Sequence, residues 1–430
     1  MASKNITPCK YGSKCYRKNP KHLEEFSHGS DTEQDEEEEE EEVQEEKEEE
    51  STPEPPKKKA RTIADFFQKS SDAKKSEKKS EKITESPKSG NTSGYVRPDS
   101  DEDGDDGADV DKDSGPSSPS DVKENIKSKY QVDMPEDFYQ LWEVAESINA
   151  SNPQDAFKKS LGLQLVGPYD ILAGKSCKKN SKGKKPNYHL HWRYYYDPPE
   201  FMTVVKGDDS SQFHMGYFRD DPKENPVFFA SNSAKENGTI APRGENIFAA
   251  LIWYIDDLSK KDSSKKGSLK SLKEQLQKAA EKEGLALEQK TKNMKARDKK
   301  VNCKTFHGAG MVVPVDANEV GYREVPETTG DLKKMFKKIV DAKEGPDRDA
   351  ATDPLMELVM LIQFANDECD YGMGLELGLD LFTYGGECFH QNILNLMSVG
   401  YALLGRHLYK DIIEAHIKNR QRGAKLSQLD

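Results

Sequence analysis

Between Asp31 and Glu54 the chain carries sixteen carboxylates against a single lysine, Lys47, which gives this window a net charge of −15. Like charges at this density repel one another and offer no apolar surface to bury, so the window cannot form a core. From 31 to 121 the chain stays poor in aromatic residues and rich in Glu, Lys, Ser, Asp and Pro, so we expect a disordered linker. Since the whole protein carries −13, all other residues together sum to about +2.

The linker leaves two parts that can fold, a short segment at 1–30 and a long one at 122–430. Of the 430 residues 33% are hydrophobic and 33% are charged, a balance that provides too little apolar surface to order the entire chain. We recognise no signal peptide and no apolar run of about 18 residues, and the cysteines beyond residue 30 are scattered. We therefore expect no membrane association and a reducing intracellular compartment.

Strand patterns are confined to the region from 161 to 230. Four apolar or aromatic segments bounded by Gly and Pro are predicted as strands: Leu161–Val166, Trp192–Tyr196, Phe201–Val205 and Phe213–Phe218.

Helical periodicity dominates elsewhere. Pro135, followed by two acidic residues, predicts the first turn of a helix, because the helix dipole favours acids there. Apolar residues at three-to-four spacing predict further helices at 245–258, 268–283, 330–342, 353–366, 387–404 and 407–420. We therefore predict a multidomain α+β protein with a small zinc finger at 1–30, a disordered acidic linker at 31–121, an α+β domain at 122–262 and an all-α domain at 263–430.

Two cysteines and two histidines lie within twenty residues near the N-terminus. Cys9, Cys15, His22 and His28 have the spacing C-x5-C-x6-H-x5-H, and this donor set satisfies a tetrahedral structural Zn²⁺. A unit of about 25 residues has no other means of offsetting its conformational entropy, so a zinc site is favoured over a disordered tail. Six residues between Cys15 and His22 are too few for the recognition helix of a DNA-reading finger.

Between the predicted zinc ligands lie Tyr11, Tyr16 and Arg17 among several lysines. Aromatic rings stack on adenine, and a guanidinium binds phosphate through two hydrogen bonds, so this loop suits an adenine-bearing polyphosphate. The run 9–28 resembles the poly(ADP-ribose)-binding zinc finger. The resemblance implies that both tyrosines stack on adenine and that Arg17 contacts phosphate.

Three acids follow the apolar predicted helix at 355–365. Asp367, Glu368 and Asp370 lie where the helix dipole favours Lys or Arg, so the cluster works against local stability and indicates a function. The acids could instead cap a turn or form a solvated loop. The next segment, Tyr371–Gly374, is predicted as the turn that stops the helix.

A single Glu acting as a general base is the simplest chemical interpretation of this cluster. Adjacent acids such as Asp367 and Glu368 point in different directions, so a hydrolytic dyad is not suggested, and no nearby histidine suggests a metal site. We recognise no Gly-rich phosphate loop, nucleophile triad or dinucleotide fingerprint, so another molecule must bring the substrate.

The long folded part carries a set of specific motifs: Ser160–Asp170, Leu190–Arg193, Tyr196–Phe201, His214–Asp220, Thr305–Gly310 and 363–382. In these motifs the region from about 122 to 430 resembles the histone PARylation factor family. The resemblance implies a protein that docks on the catalytic domain of DNA-damage-activated poly(ADP-ribose) polymerases and completes a joint active site. NAD would be bound by the polymerase and not by this chain.

The resemblance also implies roles for individual residues. Glu368 would deprotonate a substrate serine, Asp367 would shape the site, and Arg323 would support the site and the contact with the polymerase. A serine hydroxyl is a poor nucleophile until a base takes its proton, so a positioned base would direct the reaction to serine. Histones would be the substrates, because acids around the site attract Lys-rich segments.

Two short pieces of the linker bear on location. The cluster Pro55–Arg61 is of the nuclear-import kind, with a plain charge run as the alternative, and with the resemblance it predicts a nuclear protein on chromatin at DNA lesions. Ile63, Phe66 and Phe67 resemble the peptide that docks on the DNA sliding clamp. Ala60 stands where that motif usually has glutamine, so a chance match is the alternative.

Three functions follow as hypotheses. The leading one is a non-autonomous accessory factor that lends Glu368 to a polymerase. The second is a non-catalytic poly(ADP-ribose)-reading chromatin adaptor in which Glu368 is structural. The third is a free-standing hydrolase built on the acid cluster.

The double substitution Tyr16→Ala, Arg17→Ala is expected to weaken poly(ADP-ribose) binding at least about tenfold, because one stacked base contributes about 1–3 kcal/mol. Fluorescence anisotropy with polymer of defined length measures the affinity, and metal analysis confirms that zinc is retained. Ser13→Ala in the same loop is the control. Unchanged affinity with zinc retained would show that this loop does not bind the polymer.

Overall fold

A computed structural model describes Thr7–Pro8, Phe26–Ser27, 119–175, 180, 183–262 and 266–430. The predicted zinc ligands, the loop residues beside them, residues 31–118 of the acidic linker, the basic cluster and the clamp-like peptide lie outside these residues. Near the N-terminus, β1 (Thr7–Pro8) pairs in parallel with β2 (Phe26–Ser27). In the sequence Cys9 and His28 directly follow these two strands.

An antiparallel sheet forms the centre of the strand-bearing part. Its five strands are arranged in chain order, and each pairs with the next: β3 Gln164–Leu165, β4 Phe201–Lys206, β5 Phe213–Phe218, β6 Phe228–Ser233 and β7 Ala241–Gly244. Strand β5 is buried at every position after its first residue, because side chains pack on both of its faces.

The strand predictions are confirmed for β4 and β5, confirmed in part for Leu161–Val166 and wrong for Trp192–Tyr196. At Leu161–Val166 only two residues pair with β4, since Leu161 ends a short helix and Gly162 is left-handed with φ of 71°. The aromatic run Trp192–Tyr196 forms turns instead of a strand. Here the backbone folds around Arg193, whose guanidinium donates to four carbonyl oxygens, those of His189, Asp197, Pro198 and Phe201.

In the part of the chain that the structure describes, four α-helices come before β4: α1 Pro119–Tyr130, α2 Glu136–Ile148, α3 Lys158–Leu161 and α4 Tyr169–Leu172. The others follow β7: α5 Ile247–Lys261, α6 Lys266–Lys282, α7 Lys292–Asp298, α8 Thr329–Asp341, α9 Pro346–Asp367, α10 Gly372–Tyr384, α11 His390–Leu403 and α12 His407–Asn419. All the helices predicted from periodicity are present with shifted ends, and Pro135 is the N-cap residue of α2. None of the described helices combines the length and apolar character needed to cross a membrane.

Helix α10 replaces the turn predicted at Tyr371–Gly374. Its first glycines serve close packing: a Cβ on Gly372 would lie 2.8 Å from the side chains of Tyr322 and Val313, and one on Gly374 would lie 2.9 Å from Ile362. The glycines therefore let α10 approach α9 and the loop before α8, which explains why a turn-like composition begins a helix.

The strand-bearing part and the helical part share one cluster of buried side chains. Tyr217 of β5, Phe248 of α5, Leu377 of α10 and Tyr401 of α11 all belong to it. Polar contacts cross in the same way, because the Tyr401 hydroxyl donates to the buried Glu200 carboxylate at 2.8 Å. The division predicted at residue 262 thus lies within a continuous core.

A buried ion pair joins α7 to the end of β5. The Arg297 guanidinium donates to both Asp220 oxygens, at 3.0 and 2.7 Å, and to the Gly310 carbonyl at 2.9 Å. Both charged side chains are buried, so either would be left without compensation if the other were removed.

Arg297→Ala is expected to lower the free energy of unfolding by about 3–5 kcal/mol, because it leaves the Asp220 carboxylate buried and unpaired. Denaturant titration followed by circular dichroism measures the change. Lys295→Ala, at an exposed position of the same helix, is the control and should stay within about 0.5 kcal/mol of the wild type. Equal stability of the two variants would contradict the role given to the pair.

Candidate functional site

Helix α9 ends in a left-handed turn that displays Glu368. The Cys369 amide donates to the Asn366 carbonyl at 3.0 Å and the Asp370 amide to the Ala365 carbonyl at 2.8 Å, the hydrogen bonds of a Schellman motif. Cys369 has φ of 66°, a conformation that usually requires glycine. The chain therefore turns away directly after Glu368 and leaves this side chain at the tip of the helix.

One guanidinium holds two of the three predicted acids. Arg323 Nη2 contacts Glu368 Oε2 and lies 2.9 Å from Asp370 Oδ2. The positive charge of Arg323 compensates the partial negative charge at the end of α9, which no neighbouring residue in the sequence compensates. The Asp370 side chain is only 2% exposed whereas that of Glu368 is 39% exposed, so Glu368 is the accessible one of the two acids that Arg323 holds.

Asp370 anchors the loop that carries Arg323. Its Oδ1 accepts from the Gly321 amide at 3.0 Å, and the Gly372 amide donates to the Gly321 carbonyl at 2.9 Å. Gly321 has φ of 132°, and a Cβ there would lie 2.1 Å from the Pro314 carbonyl oxygen. No side chain fits at this position, because the loop runs tightly against the backbone of Pro314 and Val315.

Asp367 and two apolar neighbours surround the site on the solvent side. Asp367 is exposed. Phe364 is 56% exposed and Met360 is 44% exposed, and both lie on the α9 face of Glu368 at spacings of four residues. Exposed large apolar side chains in a row beside an accessible carboxylate form a surface that a partner would cover.

A second pair of carboxylates lies behind the loop, with Asp380 buried and Glu376 half-buried. Glu376 accepts from the Tyr322 hydroxyl at 2.9 Å and from the Val325 amide at 3.4 Å, and Asp380 accepts from the Phe306 amide at 2.7 Å. Burial raises the pKa of Glu376 to about 7 and that of Asp380 to about 7, and the negative charge of Glu376 adds to the shift of Asp380.

The sequence did not lead us to this inner pair. Its signal was present, because two acids at i and i+4 interrupt an otherwise apolar helix, and a buried carboxylate needs hydrogen-bond donors. In the described ranges, no group of three or more His, Cys, Asp or Glu side chains could hold a metal ion.

The fold and the site define an α+β protein that presents one accessible carboxylate, held by an arginine and bordered by exposed apolar side chains. Residues 121–420 match the family model described as Histone PARylation factor 1, and residues 7–31 match that of the PBZ domain, a CCHH-type zinc finger. The chain therefore belongs to the Histone PARylation factor 1 family. The PBZ match contains all four predicted ligands, whose two thiolates and two imidazoles suit Zn²⁺.

Curated relatives agree with this assignment. The chain is 52% identical to Histone PARylation factor 1 of Bos taurus over 304 residues, which is 70% of this chain and 88% of that protein. Identity to the protein of the same name is 51% in Mus musculus, over 70% of this chain and 87% of that one. In Danio rerio it is 50%, over 70% of this chain and 86% of that one.

The inner pair is expected to make stability fall as pH rises. Burial holds both groups neutral in the folded state while both ionise near pH 4 when unfolded, so their destabilising effect grows from about pH 4.5 and is complete above the folded pKa of about 7. In the double variant Glu376→Gln, Asp380→Asn the decrease between pH 5 and pH 8 should be smaller by roughly 5 kcal/mol. Urea titrations across this range measure it.

The matched control is Glu357→Gln, Asp353→Asn, which removes two exposed acids of α9 and should leave the pH dependence unchanged. Parallel stability curves for the wild type and the inner-pair variant would contradict the expectation.

Proposed function

We propose that this protein is an accessory factor that completes the active site of poly(ADP-ribose) polymerases and directs ADP-ribosylation to serine. Membership in a family named for histone PARylation supports the accessory role. The observation that carries the chemical part is the Arg323–Glu368 contact, which holds one carboxylate at a helix tip with much of its side chain accessible. The protein is not an autonomous enzyme in this proposal, because the polymerase binds NAD.

Glu368 acts as a general base. It accepts the proton of a serine hydroxyl, the serine oxygen forms a bond to the ribose carbon of NAD, and nicotinamide leaves with the electron pair of the broken bond. Arg323 keeps the carboxylate oriented for this transfer, which requires the base within about 3 Å of the hydroxyl oxygen. The docked polymerase excludes water and thereby strengthens these electrostatic interactions.

The exposed face of α9 serves as the docking surface around Glu368. Phe364 and Met360 would be covered by the polymerase catalytic domain, and burial of such apolar area is the usual core of an interface. Asp367 is exposed next to Glu368, where its charge shapes the site. It also attracts the lysines that surround serines in histone tails.

The N-terminal finger supplies a second binding activity. A PBZ domain with Zn²⁺ held by Cys9, Cys15, His22 and His28 binds poly(ADP-ribose), with the two loop tyrosines on adenine and Arg17 on phosphate. Held on polymer that is already made, the tethered body visits new acceptors at a raised local concentration. The protein would work in the nucleus, on chromatin at DNA lesions. Clamp binding through Ile63, Phe66 and Phe67 stays a separate prediction.

A non-catalytic poly(ADP-ribose)-reading adaptor is the second candidate. Arg323 bridges Glu368 and Asp370 at the end of α9, which is also the arrangement of a structural helix cap. In that case the charge of Glu368 would stabilise the helix end and would not take part in a reaction.

Glu368→Gln is expected to reduce serine ADP-ribosylation of histones by about a hundredfold or more, because general base catalysis contributes about 10²–10⁴ in rate. The assay contains the polymerase, DNA breaks, NAD and histone, with serine linkage identified by mass spectrometry. Binding to the polymerase, measured by calorimetry, should remain. Glu357→Gln, an exposed glutamate of the same helix, is the control and should be fully active.

The other hypotheses give different results. Full activity of Glu368→Gln with retained polymer binding would favour the adaptor. Turnover in the absence of any polymerase would favour a free-standing hydrolase.

A further inference from the structure

Arg323 lies in a loop that is fastened to α10 at two points. Before Arg323, the Gly321 amide and carbonyl bond to Asp370 and Gly372. On both sides of it, a single oxygen of Glu376 accepts from the Tyr322 hydroxyl at 2.9 Å and from the Val325 amide at 3.4 Å. Glu376 thus holds the residue before Arg323 and a residue after it to the same helix.

We propose that Glu376 is a positioning residue for the site: it fixes the loop 322–325 against α10 so that the Arg323 guanidinium stays on Glu368. This inference rests on the proposed function, in which Glu368 is the general base. It assigns a role to a side chain that touches neither the acceptor nor NAD.

A carboxylate at this position is costly unless it has a role. The helix around Glu376 is apolar, with Leu375, Leu377 and Leu379 all buried, so a leucine there would pack without desolvating a charge. A leucine, however, cannot accept the hydrogen bonds that the Tyr322 hydroxyl and the Val325 amide donate to Glu376. The Glu376 carboxylate therefore fixes the conformation of the loop, although it lowers the stability of the folded protein.

Several polar and charged side chains surround Glu376. The Cys303 thiol and the Tyr322 hydroxyl hydrogen-bond to it, and two negative groups face it, Glu324 from the loop and Asp380 from the next turn of α10. Lys333 of α8 faces Asp380 from the other side. A proton taken up by this pair changes the charge directly beneath the loop that holds Arg323.

A double-mutant cycle tests the proposal with the full chain and the polymerase. Glu376→Leu is expected to slow serine ADP-ribosylation by about tenfold to a hundredfold, because a displaced base near the reacting atoms has an effect of that size. In an Arg323→Ala background the same substitution should have no further effect. Multiplying effects would show that Glu376 does not act through Arg323 and would overturn the proposal.

Two conservative variants separate positioning from simple loss of structure. Glu376→Gln keeps an oxygen that accepts from Tyr322, so its rate at pH 8 should lie within about threefold of the wild type. Tyr322→Phe removes only the hydroxyl and should slow the reaction in the direction of Glu376→Leu. Because Glu376→Leu removes a charge from this apolar site, the variant should be at least as stable as the wild type above pH 7. If Glu376→Leu is slow because it does not fold, the Glu376→Gln and Tyr322→Phe variants test the proposal instead.

A structural readout keeps this proposal distinct from the proposed function. In a crystal structure of the Glu376→Leu protein, the Arg323 and Glu368 side chains should lie more than about 4 Å apart. An unchanged ion pair overturns the positioning role whatever the activity. If Glu368→Gln is fully active, the proposed function fails while this measurement still decides whether Glu376 shapes the loop.

Discussion

The contact between Arg323 and the acids at the end of α9 is the interaction on which the rest of the site depends. A helix C-terminus with three clustered acids is electrostatically unfavourable, and the cation that relieves it comes from a loop more than forty residues earlier in the chain. The loop reaches this place because Asp370 and the start of α10 bind the backbone at Gly321. The same contacts therefore compensate the charge at the helix end and position the loop. Asp370 is buried and holds the loop, whereas Glu368 stays accessible.

Beyond the site, the strands and helices of the described part of the chain also depend on each other, because they share one core. The Glu200 carboxylate just before β4 accepts from Tyr401 of α11, and Arg297 of α7 pairs with Asp220 just after β5. Strands and helices thus hold each other in place through hydrogen bonds and an ion pair between buried polar groups as well as through apolar packing. The carboxylate site lies entirely on the helical side, on α9, α10 and the loop before α8.

Much of the site could be predicted from the sequence, and what could not be predicted is non-local. The acids at 367–370 stood out because they contradict the preference of a helix end, a rule that needs only neighbouring residues. Arg323 was assigned by resemblance alone, since no local pattern reveals that it meets Glu368. The helix α10 was missed because Gly372 and Gly374 have the composition of a turn, while their actual role is contact with Tyr322 and Ile362. The run Trp192–Tyr196 has a strand composition, but the hydrogen bonds of Arg193 to backbone carbonyls give it turns.

The close approach of α10 to its neighbours has a consequence for how the accessory factor would meet a polymerase. With no side chains on Gly372 and Gly374, backbone and side chains are in direct van der Waals contact behind the tip of α9, so the backbone that carries Glu368 is firmly held. A docking polymerase would encounter a Glu368 carboxylate that is already oriented. The free energy of association could then be used for recognition, since little entropy is left to lose in ordering the catalytic group.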